Sequence, residues 1–306
     1  MDKKKKKQSW KLVFIVFSPL ILLVIGLFFA KSSLSFSLDE IRPKRAFSFQ
    51  YSKTASKEEL QKLQGIFSQP FYHLIEGERC YVFLSQDKEY VIKFFKMKKL
   101  TPKYWLNYIP FPWLEKLRMY KVRGRERARH ETFGGFKAAF EEFRYQTDLL
   151  FMHLFCTDWL KTKLEVIDRE GRSHQIPLDT VPFILKKKAF LIPEYINEFV
   201  SQGKNKEAVT SLLLLLDLIR DFTQRGLVNE NDSIIEDYGF IADKAVCINS
   251  GYILPHEEMK SPANTLYEVF RASQFFEDWL KENQPGLLEE FRKQAEDLLS
   301  LLEEPL

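Results

Sequence analysis

Cysteine is scarce in this sequence of 306 residues. The three cysteines, Cys80, Cys156 and Cys247, show no CxxC or Cys/His spacing, and the five histidines show no metal-ligand spacing. These absences argue against a zinc site. They also argue against a scaffold built on disulfides, because three cysteines can form at most one.

Several common enzyme motifs are also missing. The chain has no Walker A motif, no GxGxxG fingerprint, no HExxH helix and no serine-hydrolase elbow. The sequence therefore argues against P-loop nucleotidases, dinucleotide-binding enzymes, zinc proteases and serine hydrolases.

Apolar and aromatic residues, by contrast, are abundant. Hydrophobic residues make up 45% of the chain, 28 residues are phenylalanine, and the net charge is only +4. This composition predicts a globular protein with a large core built around aromatic rings. The length is that of one two-lobed domain or of two small domains.

The N-terminal segment, residues 1–34, has five consecutive lysines and then nineteen uncharged residues from Leu12 to Ala30. At about 1.5 Å per residue, such a helix matches the thickness of a bilayer core and predicts a transmembrane anchor. The lysines predict a single-pass membrane protein with a cytoplasmic N-terminus. A cleaved signal peptide and a buried helix are the alternatives, and the side on which the remaining chain lies stays open.

The rest of the chain changes from strand-like to helical patterns. A linker with a short helix (35–69) precedes a strand-rich part (70–198) and a helical part (199–306). Strands are predicted at 71–85, 89–97 and in a hairpin turning at Glu170-Gly171, and helices at 136–154, 205–226, 264–282 and 286–303. This order predicts an α+β fold with a small β-rich lobe and a helical lobe.

A basic, aromatic insertion at 96–130 interrupts the strand-rich part. Eleven Lys/Arg and two Glu lie between Lys96 and Arg129, around the stretch "YWLNYIPFPW". Such a pattern is typical of contact with anionic lipid headgroups or with nucleic acid. We favour lipid, because the predicted anchor would hold the insertion beside a membrane; a solvated basic loop is the alternative.

One lysine lies within the apolar strand "EYVIKFFKM". Alternation puts Lys93 and Val91 on the same face, and a buried lysine there requires an anionic partner. The predicted helix 136–154 offers Glu141 and Glu142, of which Glu142 lies nearer the apolar stripe. Two solvated glutamates on a surface helix are an equally good interpretation.

The stretch "VNENDSIIEDYGFIADKAVCINSGYI", residues 228–253, collects polar side chains before and after a strand hairpin. Asp232 and Asp237 are five residues apart, and Asn249 follows twelve residues later. Because Asp and Asn are ordinary turn residues, a polar loop leading into a strand is one interpretation. A variant of a phosphate-handling site is the other.

These residues together resemble the protein-kinase-like superfamily, over roughly residues 70–300. "LIEGERCYV" keeps the central glycine of the kinase Gly-rich loop, Gly77, and "YVIK" resembles the strand whose lysine holds the phosphates. Asp232 and Asp237 have the spacing of the catalytic-loop Asp and Asn, and "NSG" stands where Asp-Phe-Gly follows. The chain is nearer the sugar, lipopolysaccharide and aminoglycoside phosphotransferase branches, and is also similar to uncharacterised chlamydial kinase-like membrane proteins.

The resemblance implies a site with Mg²⁺ and ATP as cofactors. It assigns nucleotide binding to Gly77, Lys93 and Glu142, catalysis to Asp232, and metal binding to Asp237 and Asn249. Two departures from the kinase pattern weaken catalysis. No His-Arg precedes Asp232, and Asn249 puts a neutral amide where a carboxylate binds the metal.

Three functions are open at this point. We favour a membrane-anchored pseudokinase with weak or no phosphotransfer that binds a nucleotide or a partner. The second is an active Mg-ATP-dependent small-molecule or sugar kinase, and the third is a non-enzymatic membrane-associated protein that uses the insertion 96–129. The expected partners are a membrane, anionic lipid headgroups and an unidentified protein, but not nucleic acid.

Overall fold

The computed structural model describes residues 36–43, 56–229 and 233–303. The predicted membrane span, Leu12 to Ala30, and the catalytic candidate Asp232 lie outside these ranges. The other candidate site residues lie inside them.

The first lobe is built on a curled sheet, in which the described residues form seven strands. Their order across the sheet is β4-β7-β3-β2-β1-β5-β6, with β1 and β5 parallel and the other neighbours antiparallel. The strands are β1 (Phe71–Glu76), β2 (Cys80–Ser85), β3 (Tyr90–Phe95), β4 (Leu149–His153), β5 (Lys163–Ile167), β6 (Ser173–Pro177) and β7 (Phe183–Lys187).

Helices cover both faces of this sheet. They are α1 (Leu38–Ile41), α2 (Lys57–Phe67), α3 (Met97–Leu100), α4 (Glu115–Arg118), α5 (Arg125–Glu141) and α6 (Arg144–Thr147), with a π-helical turn at Met119–Gly124 between α4 and α5. Helix α2 starts at a capping box in which Ser56 and Glu59 satisfy each other's backbone N–H groups.

Strand β3 is buried on both faces, which explains its nearly continuous apolar sequence. Phe94 packs with Phe71 and Phe83 in the core beneath α2, whereas Phe95 packs with Phe133 and Phe136 of α5. Since side chains alternate along a strand, Lys93 shares the face of Phe95 and is directed toward the side on which α5 lies.

The second lobe is mainly helical. It contains β8 (Phe190–Leu191), α7 (Ile192–Ser201), α8 (Asn205–Gln224), β9 (Leu227–Asn229), α9 (Ile234–Asp237), β10 (Tyr238–Ile241), β11 (Lys244–Cys247), β12 (Ile253–Pro255), α10 (Pro262–Asn283) and α11 (Leu288–Glu303). In the described residues, β11, β10 and β8 form one small sheet and β12 pairs with β9.

Helix α8 is the centre of this lobe. Its buried side chains at Leu212, Leu215 and Leu216 pack with Phe276 of α10 and Phe291 of α11. The three- and four-residue spacing keeps these leucines on one face of the helix. The chain leaves the helix through Gly226, whose φ of +74° favours glycine.

The prediction of a transmembrane helix, and with it the single-pass membrane location, needs correction. No helix in the described ranges is both long enough and apolar enough to cross a bilayer. Helices α8 and α10 have 20 and 22 residues, but charged side chains interrupt them, such as Asp217 and Arg220 in α8 and Glu277 in α10. We therefore keep the α+β, two-lobed arrangement as the fold class and remove the transmembrane helix from it.

Candidate functional site

Two lysines of the first lobe reach the backbone of the second lobe at one point. Nζ of Lys93 lies 3.3 Å from the carbonyl oxygen of Ile248, and Nζ of Lys186 lies 2.8 Å from the same oxygen. Lys186 also donates to the carbonyl oxygen of Cys247 at 2.8 Å. Both lysines are buried. Because Val91 of β3 pairs with Lys186 of β7, Lys93 and Lys186 lie on the same face of the sheet.

Asp237 also binds the backbone at Ile248 and Asn249. Its carbonyl oxygen accepts the N–H groups of Ile248 at 2.6 Å and Asn249 at 3.3 Å. Its carboxylate is fully buried and accepts a hydrogen bond of 2.9 Å from Nδ2 of Asn229. The structure thus brings Lys93, Asp237 and Asn249 together around Ile248.

Gly77 lies in the turn between β1 and β2, and a different lysine holds it. Nζ of Lys96 lies 2.9 Å from the carbonyl oxygen of Gly77 and 2.5 Å from Oε1 of Glu76. Arg79, two residues further along, donates to Oγ1 of Thr132 on α5 at 2.9 Å and lies over the ring of Tyr252. These contacts tie the turn both to α5 and to the segment that follows Asn249.

Glu142 is not brought to this site. It is exposed and lies just beyond the end of α5, and among the described residues no ion pair involves Lys93. The face of α5 that packs on the sheet carries Phe133, Phe136 and Ala139 and no carboxylate. In this structure the partner of Lys93 is therefore a backbone carbonyl instead of a helix glutamate.

Burial changes the protonation of the groups around Ile248. It lowers the pKa of Lys186 to about 7, and the nearby charge of Lys93 acts in the same direction. Burial also raises the pKa of the Cys247 thiol to about 12, which keeps this thiol protonated and unreactive. A neutral lysine amine has two N–H donors, and Lys186 has two carbonyl acceptors within 2.8 Å.

Two glycines allow α5 to approach the segment after Asn249. A Cβ on Gly135 would lie 2.9 Å from the carbonyl oxygen of Ser250, and a Cβ on Gly251 would lie 2.7 Å from the ring of Phe136. Real Cβ atoms do not come so close, so any larger residue at these positions must move the backbone or the ring. The contact fixes the position of residues 250–253 against α5.

The described residues do not by themselves make a Mg²⁺ site. They contain no group of three or more His, Cys, Asp or Glu side chains that could hold a metal ion. Asp237 and Asn249 supply one carboxylate, already hydrogen-bonded to Asn229, and one neutral amide. Mg²⁺ requires an octahedral set of oxygen ligands and is usually bound through one or two carboxylates.

A small cavity lies behind Asp237, within the second lobe. Its volume is about 20 Å³, which is room for roughly one water molecule. Its lining includes Asn229, Tyr238, Glu268 and Arg271. Burial raises the pKa of Tyr238 well above its ordinary value. The cavity is too small to be the binding site of a nucleotide.

Sequence reasoning missed Lys186 and Lys96. In "FILKK", alternation places Lys186 on the same face as Ile184, and this is the same signal that identified Lys93. Lys186 was overlooked because it opens a run of three lysines that looks like a solvated turn. For Lys96, the sequence holds no signal of its pairing with Glu76, which depends on the register of β1, β2 and β3.

Comparison with known proteins gives a distant likeness among solved structures. No family model matches the sequence, and no curated protein matches it. Among solved structures, the chain is similar to the bifunctional kinase-methyltransferase WbdD, with 14% identity and a TM-score of 0.33 over 86% of this chain and 49% of that one. The chain thus spans about half the length of that protein. A TM-score this low shows no more than a distant likeness.

Proposed function

We propose that this chain is a divergent kinase-like protein that binds a nucleotide between its two lobes and transfers phosphate weakly or not at all. The order of its elements supports this proposal. A glycine turn between β1 and β2, a lysine on β3 and a helix after it are followed by a helical lobe, a polar loop, a hairpin and Asn-Ser-Gly. Protein kinases arrange their nucleotide-binding and catalytic segments in this order.

The observation that carries the proposal is the hydrogen bond between Lys93 and the carbonyl of Ile248. It puts the strand lysine one residue away from Asn249, the counterpart of the metal-binding aspartate. In an active kinase, this lysine is paired with a helix glutamate and the aspartate binds Mg²⁺. Here a carbonyl and a neutral amide stand in those places, which supports binding over catalysis.

The proposed roles follow from the contacts. Lys93 would leave a long bond of 3.3 Å to meet a nucleotide phosphate, and the turn at Gly77 would cover it. Asp232, outside the described residues, is proposed as the counterpart of the catalytic base. Because the described donors offer only one carboxylate, already hydrogen-bonded to Asn229, and one neutral amide, we propose that nucleotide affinity depends little on Mg²⁺.

The proposal is tested by titrating the full-length protein with ATP in a calorimeter, with Mg²⁺ and with EDTA. We expect the two affinities to agree within about threefold, and Lys93→Met to weaken binding at least about tenfold, the loss expected for a charged hydrogen bond. Lys163→Met, an exposed lysine on β5, is the matched control and should bind as the wild type does.

A second experiment tests for catalysis. Transfer of labelled γ-phosphate should be undetectable in the wild type, and Asn249→Asp should make nucleotide affinity depend on Mg²⁺ because it restores an anionic ligand. Rapid phosphate transfer that is lost in Asp232→Asn would instead identify an active kinase. Absence of ATP binding at millimolar concentration would overturn the proposal altogether.

A further inference from the structure

The insertion 96–130 exposes an unusual set of large apolar side chains. Tyr108 is 86% exposed and Trp113 is 76% exposed. Together with their exposed neighbours they form what we call the aromatic platform: Trp105, Tyr108, Phe111, Trp113, Leu117, Met119 and Tyr120. Large exposed apolar side chains concentrated in one short segment, two of them stacked (Phe111 and Trp113), indicate an interaction site in a folded protein.

One side chain, Arg118, binds several backbone carbonyls of the aromatic platform. The guanidinium of Arg118 donates to the carbonyl oxygens of Leu106 at 3.0 Å, of Phe111 at 3.3 Å and of Ile109. Leu106 and Val122 are buried beneath it. The rings therefore point outward because the fold of the insertion holds them there, and exposure is not a result of a missing core.

The same insertion also exposes cations. Lys99, Lys103, Lys116 and Arg123 are exposed in the same insertion, and Nζ of Lys121 lies 4.7 Å from the ring centre of Tyr120. Between 96 and 129 the sequence has eleven basic residues and two glutamates, Glu115 and Glu126. Glutamates outside this stretch pair with Lys96, Lys98 and Arg127. Glu115 pairs with Arg118, and Glu126 accepts from the hydroxyl of Tyr104. These two glutamates offset only two of the eleven cations, so the stretch keeps a large positive charge.

We propose that the aromatic platform binds the surface of an anionic lipid bilayer, with the rings at the headgroup level and the cations on lipid phosphates. Tyrosine and tryptophan favour this interface because one end of each ring is polar, and each cation near an anionic surface adds to the attraction. The inference concerns the insertion alone and is independent of nucleotide binding.

Other occupants fit the same surface less well. Protein interfaces are depleted of lysine, whereas this surface has lysines among its rings. A second copy of the chain would bring like charges together. Nucleic acid would meet the cations and the rings, but it offers no apolar phase for Leu117 and Met119.

The test is sedimentation of the full-length protein with phosphatidylcholine vesicles, with and without phosphatidylglycerol, at low and at physiological salt. Reversing Lys99, Lys103, Lys116 and Arg123 to glutamate should weaken binding to the anionic vesicles at least about tenfold. The matched control reverses four exposed lysines elsewhere, Lys163, Lys204, Lys206 and Lys293, and should change binding less than about threefold. Since all variants keep residues 1–35, any contribution of that segment is the same in each.

A second readout locates the contact. Brominated lipid should quench tryptophan emission of the wild type, and replacing both Trp105 and Trp113 by Phe should remove most of that quenching. Unchanged quenching in this variant, equal losses in the two charge-reversed variants, or equal binding to neutral vesicles would overturn the proposal. The proposal would also be overturned if duplex DNA bound the protein more tightly than the anionic lipid does and displaced it from the vesicles. Circular dichroism melts check that each variant is folded.

Discussion

At the scale of single residues, the most informative side chain is Lys186. It is buried with Lys93 beside it and makes its two hydrogen bonds to the carbonyls of Cys247 and Ile248. Removing a charged amine from water is costly, and this lowers the pKa of Lys186 to about 7, so that a large part of the population is neutral at and above this pH. Lys186 is therefore mainly a structural donor that secures the segment before Asn249.

This protonation predicts a particular pH dependence of stability. The pKa of Lys186 is about 7 in the folded protein and 10.5 in the unfolded chain, so between these values the unfolded chain binds the extra proton. Its contribution to stability therefore rises with pH above 7. Relative to Lys186→Met, the wild type should gain about 1–2 kcal/mol in unfolding free energy between pH 7 and 8.3.

Urea denaturation at the two pH values measures this gain. Groups that act on Lys186 electrostatically are Lys93, Cys247 and Asp148, and the Cys247 thiol stays protonated over this interval because its pKa is about 12. Lys187→Met, at the exposed neighbouring position of β7, is the control and should keep the slope of the wild type. Equal slopes for the wild type and Lys186→Met would mean that Lys186 stays charged.

Single residues also show which parts of the site could be predicted from the sequence and which could not. The inward direction of Lys93 was predictable, because strand alternation depends on neighbouring residues only. The position of Glu142 was not predictable, since it depends on where α5 ends. The assignments of Gly77, Asp232, Asp237 and Asn249 to nucleotide, catalysis and metal remain predictions.

At the scale of elements, the contact between α5 and residues 250–253 positions the candidate site. It depends on Gly135, which faces the backbone of Ser250 and Ile253, whereas the adjacent Gly134 has no atom within 4 Å of a built Cβ. The two neighbouring glycines therefore offer a matched pair of substitutions on one helix.

For Gly135 and Gly134 we expect opposite effects of substitution by alanine on stability. Gly135→Ala should lower the free energy of unfolding by about 1–3 kcal/mol, because a methyl group there must displace backbone. Gly134→Ala should raise it by up to about 1 kcal/mol, because alanine favours the helix. Chemical denaturation of both variants checks the sign, and a stabilising Gly135→Ala would show that α5 does not lie as close to residues 250–253.

The predicted helix at 136–154 was wrong in its bounds, for a reason visible at this scale. Phe136 and Phe140 do belong to the helix, but the chain leaves it at Glu141 and turns through Asp148, whose φ is +47°. Residues 149–153 then form β4, buried on both faces. A short apolar run can be a buried strand or a helix, and only its neighbours in the sheet decide.

At the scale of the whole molecule, residues 143–148 link the two lobes. Phe143 packs in the core of the second lobe, with its ring 5.6 Å from that of Phe222. Gln146 donates to Asp221 at 2.9 Å, and Lys244 lies 3.2 Å from Asp148. The turn between α5 and β4 therefore belongs to the first lobe in sequence and contacts the second lobe in space.

This arrangement predicts that Phe143 couples the unfolding of the two lobes. Phe143→Ala should cost about 3–5 kcal/mol, as expected for a buried ring, and should separate the unfolding of the lobes. Hydrogen exchange followed by mass spectrometry along a urea series would then give different midpoints for peptides of β3 and of α8. Phe270→Ala, on the exposed face of α10, should leave both midpoints together. Coincident midpoints in Phe143→Ala would contradict the prediction.

Much of the two-lobed α+β arrangement was predictable, because most long strands lie in the first part of the chain and most long helices in the second. The hairpin β5–β6 and helices α8, α10 and α11 lie where periodicity and turn residues placed them. The pairing of that hairpin with β1, in parallel, was not predictable from any local signal. Long-range pairing depends on the whole core, which a pattern in one segment does not encode.

The carbonyl of Ile248 has one further consequence, which concerns the rate of ligand capture. It accepts hydrogen bonds from two lysines, of which Lys186 is the nearer and Lys93 the farther. If a phosphate takes Lys93 away, Lys186 still retains the segment before Asn249, but the buried Lys93 must first become accessible to the ligand. A ligand of this site should therefore associate more slowly than encounter alone would allow, because Lys93 has to be uncovered first.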